Sequence, residues 1–185
     1  MQLSKLIILA SAIGVCAAAA EAADHRIRFT VYMVNESIAP PSLPNMAKGR
    51  VEKMLSVANI SIQWRGSPPK GACPENALII EMVEGTPKDL YPAALGYALP
   101  YDRTHIRVFF DRVQATVQAE TVPALLAHVL THEITHLLQG INRHSEEGIM
   151  KARWDANDYH VMQSKGLAFT PKDIDLIRLG VAARQ

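Results

Sequence analysis

An α/β or α+β domain is what this sequence predicts, on three observations. Short β-branched and aromatic runs are bounded by turn residues, and a few longer segments carry helical apolar spacing. The composition, 49% apolar and 20% charged, is that of a globular protein with a core. At 185 residues the chain is sized for one domain. Its formal charge of +1, with no basic stripe, argues against nucleic acid or an anionic membrane as a partner.

The elements follow in order. "IRFTVYMV" (Ile27 to Val34) reads as a first strand, and the Pro-rich "APPSLP" (Ala39 to Pro44) as a loop. From Met46 to Ala58, Val51, Met54, Leu55 and Ala58 recur at helical spacing. "ISIQW" (Ile60 to Trp64) is a second strand, ended by the turn-forming "RGSPPKG". "ALIIEMV" (Ala77 to Val83) is a third. "ALGYALP" (Ala94 to Pro100) is a short, glycine-weakened fourth, and "HIRVFF" (His105 to Phe110) is a fifth. The strongest helical signal runs from Val122 to Gln139, with Pro123 suited to a first turn. Gly140 follows, where a left-handed residue ends a helix. After Met150 the chain is polar until "TPKDIDLIRLGVAARQ", where Thr170 caps and Pro171 starts a closing helix.

The first 22 residues read as a segment outside the fold. "MQLSKLIILASAIGVCAAAAEA" has Lys5, an apolar run from Leu6 to Val15, and small residues at Ala20 and Ala22. That pattern predicts a signal peptide cleaved after Ala22, leaving residues 23–185 as the domain, and hence export. The apolar run is too short for a permanent membrane span, so no stable membrane insertion is expected. Cys16 falls in this segment, which leaves Cys73 without an internal disulfide partner and reads as a loop thiol.

The chemistry concentrates in "THEITHLLQGINRHSEEGIM", Thr131 to Met150. His132 and His136 are one helical turn apart, so both imidazoles leave the same face and can bind one zinc ion. Glu133 beside them is the carboxylate that takes a proton from a zinc-activated water. A catalytic zinc needs a third protein ligand and an open fourth position. His144, four residues past the Gly140 turn, is the leading candidate; Glu147, Asp155, Asp158 and His160 are rivals. Without metal, the three ring nitrogens are expected within roughly 3–4 Å of each other. His128, one turn before His132, reads as a core or supporting histidine, because a fourth ligand would close the site. Trp154 and Tyr159 read as packing residues.

This stretch resembles the metzincin clan of zinc endopeptidases. Their motif is HExxHxxGxxH, often followed by Ser and then by a methionine-containing turn beneath the zinc. Here "HEITHLLQGINRHS" is followed by "GIM", and Ser145 and Met150 look most like the matrixin branch. The spacing is wider, with three residues rather than two on each side of Gly140. The chain therefore has either an enlarged return loop or the site of a separate zincin lineage. The resemblance implies zinc on His132, His136 and His144, Glu133 as general base, and Met150 under the metal. It also implies a twisted sheet of about five strands with one backing helix ahead of the active-site helix. "ALGYALP" would be the antiparallel edge to which a peptide substrate adds. A small C-terminal part with one helix would follow, and Tyr159 would be a candidate for steadying an oxyanion.

Together these readings predict an exported zinc-dependent hydrolase, with a peptide or protein as substrate. Two other classes stand beside it: a zincin-shaped binding or structural module, and a zinc hydrolase of a non-peptide bond. Glu133 argues against the module, since a structural zinc has no use for a base.

Overall fold

The computed structural model describes residues 26–71, 74–85 and 94–184. Signal-segment residues 1–22 and Cys73 lie outside them. Five strands form one mixed sheet: β1 (Ile27–Asn35), β2 (Ile60–Arg65), β3 (Ala77–Val83), β4 (Gly96–Ala98) and β5 (His105–Phe109). The strand order is β2-β1-β3-β5-β4. The pairs β1–β2, β1–β3 and β3–β5 are parallel, and β4 alone runs antiparallel, against β5.

On β1 every second residue, Phe29, Val31 and Met33, is buried while the residues between are only half covered. That period of two marks a sheet with its core on one face. Leu78, Ile80 and Met82 of β3 and Ile106 and Val108 of β5 complete the strand side of that core. The helical side comes from α1 (Ser42–Ser56), through Ala47, Val51 and Leu55, and from α3 (Val122–Gln139). Helix α1 starts four residues earlier than its apolar spacing predicts. Pro44 falls in its first turn, where a missing N–H costs nothing.

Helix α3 occupies the predicted range, and of its residues only Pro123 is not buried. A helix covered on nearly every side is fixed by its surroundings, which makes it a rigid mount for side chains. Two further helices carry no strong apolar period. One is α2 (Phe110–Thr116), where the strand reading ran one residue too far. The other is α4 (Ala156–Ser164), which buries only Asp158 and Met162. The C-terminal part thus has two helices where one is expected, α4 and α5 (Pro171–Ala182). Among the described residues, no helix is long and apolar enough to cross a membrane.

Candidate metal centre and cleft

His132 and His136 project from α3 into a cleft of about 1040 Å³, lined also by β4, Lys151–Trp154 and Tyr159. The Nδ1 atoms face backbone carbonyls, of Ile149 at 2.8 Å for His132 and of Ile141 at 3.2 Å for His136. A carbonyl oxygen only accepts, so each Nδ1 carries the proton and each Nε2 presents a lone pair. Those two Nε2 atoms are 3.0 Å apart. Protonating either would relieve the clash of lone pairs, but burial opposes it. Burial pushes His132 down to about 3, with His136 beside it adding to the shift, and pushes His136 down to about 4. Two buried acceptors facing each other without a donor are an arrangement that a cation between them resolves. Their separation is close to the ~3.3 Å expected of two nitrogens each ~2.0–2.1 Å from one tetrahedral zinc.

His144 completes the group. Its ring stacks on His132 (centroids 5.2 Å, planes 26° apart) and meets His136 edge-on (4.9 Å, 82°). One nitrogen from each histidine lies within 4.8 Å of the others, so the three can hold one metal ion. That spread exceeds the roughly 3–4 Å expected from sequence, the His132–His136 pair being the tight side. His144 is also the exposed member of the three.

The wider spacing does not remove His144 from the site. Gly140 takes the left-handed conformation (φ 69°, ψ 19°) and donates its N–H to the His136 carbonyl at 2.9 Å, which stops α3. A Cβ there would meet the Arg103 guanidinium at 2.7 Å. The chain returns and is pinned at Ser145, whose N–H donates to the Met150 carbonyl at 2.7 Å. Met150 is fully buried, and its neighbour Ile149 supplies the carbonyl that orients His132.

Glu133 lies in the same cleft against β4. Burial pushes its carboxyl up to about 8, against the opposing pull of a hydrogen bond from the Ala98 N–H. In the β4–β5 ladder, Leu99 N–H bonds the His105 carbonyl and Phe109 N–H the Leu95 carbonyl. The alternation of an antiparallel pair therefore turns the backbone of Gly96 and Ala98 away from β5, toward the cleft. A Cβ at Gly96 would meet the Arg107 carbonyl at 2.9 Å and Glu133 at 3.4 Å. The glycine that weakens the strand signal is what lets the edge pass so near the carboxylate.

The rival ligands are placed elsewhere. Asp155 caps α4 and Asp158 closes the reciprocal half of that capping box, while both bind Lys151 Nζ, at 2.8 and 2.6 Å. Glu147 and His160 are exposed, and neither belongs to the converging group. His128 is buried with both ring nitrogens used: Nδ1 donates to the Ala124 carbonyl at 2.7 Å, and Nε2 accepts from Leu167 N–H at 3.0 Å. Trp154 does more than fill space. Its ring meets His132 edge-on at 5.5 Å, and its Nε1 donates to the Gly148 carbonyl at 3.2 Å. Tyr159 is half-buried and lines the cleft.

Sequence reading missed the carbonyls of Ile141 and Ile149, for which no side-chain signal exists. It also missed Asp173, which binds both neighbours of His144. Its signal was the Thr170-x-x-Asp173 spacing of a capping box.

No protein-family model matches this chain, and neither does any curated protein. Among solved structures it is similar to archaemetzincin from Methanopyrus kandleri, at 15% identity and a TM-score of 0.53. That match covers 88% of this chain and 99% of the other. It is also similar to a zinc-dependent peptidase from Methanocorpusculum labreanum (strain Z), at 18% identity and a TM-score of 0.51, covering 80% and 99%. The chain therefore has a zincin-like fold, the α/β fold of these two structures, and carries within it three histidines that can hold one metal ion.

Proposed function

We propose that this chain is a zinc-dependent peptidase, with zinc on His132, His136 and His144 and Glu133 as general base. The observation that carries the reading is the pair of buried, lone-pair-bearing Nε2 atoms 3.0 Å apart, with His144 beside them and Glu133 in the same cleft. The two named zinc-peptidase and archaemetzincin neighbours support it at the level of fold.

Zinc held there supplies a Lewis acid for a carbonyl oxygen and makes a water molecule acidic near neutral pH. The chain's own residues do the rest. His132 and His136 need release no proton to bind a cation at neutral pH, because burial already keeps them neutral. The Glu133 carboxyl, pushed up to about 8 by burial, would fall with a cation held by the histidines toward the range where a base is both charged and basic enough to work. Glu133 then takes the proton of the attacking water and passes it to the leaving amine. The outward backbone of Gly96 and the Ala98 carbonyl offer an extended substrate an edge to add to as a strand, the Ala98 N–H being taken by Glu133, and this favours a peptide over a compact molecule. Tyr159, which lines the cleft, is a candidate donor to an oxyanion.

Incubation of zinc-loaded protein with a peptide library tests the activity. Cleavage that stops on zinc removal and returns on its addition is expected. A zinc-replete protein that cleaves no peptide favours a binding module or another bond type. We propose export on the N-terminal segment, and secreted material is then expected to begin at or near Ala23. Protein that retains Met1 in the cytosol contradicts it.

A further inference from the structure

The three histidines are not held alike. His132 and His136 each have a ring nitrogen fixed by a carbonyl, whereas the His144 imidazole has no hydrogen-bond partner among the described residues. Beyond the ring contacts with His132 and His136, what orients it acts on its backbone. Both neighbours of His144 in the chain are bound to one atom: Asp173 Oδ1 accepts from Arg143 at 3.0 Å and from Ser145 Oγ at 2.6 Å. Asp173 belongs to α5, some thirty residues away. Its other oxygen, Oδ2, accepts from the Thr170 N–H at 3.0 Å and from the Thr170 hydroxyl at 2.7 Å, capping that helix. The Asp173 side chain is fully buried, its charge strengthens these bonds, and the two from hydroxyls are short, at 2.6 and 2.7 Å. A buried carboxylate with one oxygen for the helix cap and the other for the loop is a clamp between α5 and the return loop.

We propose that Asp173 is a positioning residue for His144, so that docking of α5 sets the third metal ligand. This rests on the zinc-site reading above. The protein's metal affinity is then linked to a contact that touches neither the metal nor a ligand ring. Carboxylates that orient ligands typically act on the ring itself; here the lever is the peptide on either side of the ligand.

The test is zinc affinity, measured by chelator competition on the full chain, in a double-mutant cycle with folding followed by circular dichroism. Asp173→Ala is expected to weaken zinc binding about 10–100-fold in the wild-type background, the range for lost supporting contacts. In a His144→Ala background it is expected to change zinc binding little, because the residue it acts through is gone. Thr170→Ala loosens the α5 cap but leaves the Ser145 and Arg143 bonds, so it is expected to lower the melting temperature and keep zinc affinity. Ser145→Ala removes one loop bond without touching the helix cap, and a several-fold loss of zinc affinity is expected. It therefore also decides the matter if Asp173→Ala does not fold. Equal losses from Asp173→Ala in both backgrounds, or wild-type affinity in Ser145→Ala and Asp173→Ala, overturn the proposal while leaving the zinc site standing. A wild-type chain that binds no zinc removes the zinc-site reading and this proposal together.

Discussion

Helix α3 and the return loop, residues 140–150, contribute to the same group of histidines by opposite means. On α3 the spacing of His132 and His136 comes from the helix itself, which is buried over nearly its whole length. Thr131 and Thr135 turn their hydroxyls back onto the carbonyls four residues earlier, so these two buried hydroxyls are satisfied within the helix. The loop has no such period. It is shaped by two left-handed glycines, Gly140 and Gly148, a bridge between Ser145 and Lys151, and Asp173 reaching in from α5. A metal site of this kind joins a rigid half, dictated locally, to a half assembled by distant contacts. The two halves should therefore fail differently.

The largest effect belongs to the helix. Glu133→Ala is expected to fold and keep stoichiometric zinc while losing about two to four orders of magnitude in turnover, measured with a peptide substrate. Unchanged turnover would mean that the α3 carboxylate does no acid–base work. Next comes the ligand on the loop. His144→Ala is expected to weaken zinc binding by more than the ~10–100-fold typical of a supporting residue, as read by chelator competition. His128→Ala and His160→Ala should leave affinity nearly unchanged. A larger effect from His160 than from His144 would break the pairing of helix and loop drawn here.

A pH measurement separates burial on the helix from the metal group. His128 folds with its pKa pushed down to about 4 by burial, against 6.5 in an ordinary setting. Between those values the unfolded chain holds the extra proton. Stability from this group is therefore complete above pH 6.5 and declines as pH falls toward 4, by up to ~1.4 kcal/mol per pH unit. His128→Gln is expected to flatten the stability–pH curve over that window relative to wild type, in denaturant melts. Parallel curves would show that His128 is not held neutral. The smallest effect lies beyond the loop: Asp155→Ala removes the α4 cap and is expected to lower the melting temperature slightly. It should leave zinc affinity intact, and a loss of zinc there would restore Asp155 as a ligand.

How much of this was legible in the sequence follows the same division. The range of α3 and its stop at Gly140 were readable because apolar spacing, Pro123 and a glycine all point the same way. From its residues the edge reads only as a weak strand, and its antiparallel pairing comes from the family resemblance. Its glycine reads as a defect until Glu133 and Arg107 are seen pressing on it. Helix α4 was hidden because it buries little, and its capping aspartates stood as rivals to His144 for the third ligand. Residue type alone cannot distinguish a carboxylate that accepts backbone N–H groups from one that binds a cation. Asp173 was hidden for a different reason. Its link to Arg143 and Ser145 spans about thirty residues, and no local period or spacing records a contact of that range.

The zinc coordination shell itself is the most direct test. X-ray absorption on the zinc-loaded chain, or a crystal structure with zinc bound, is expected to show three imidazole nitrogens about 2.0–2.1 Å from the metal, those of His132, His136 and His144. In His144→Ala the shell is expected to retain two imidazoles. A wild-type shell with only two imidazoles, completed by Glu147, Asp155 or Asp158, or with His160 in place of His144, would contradict the account.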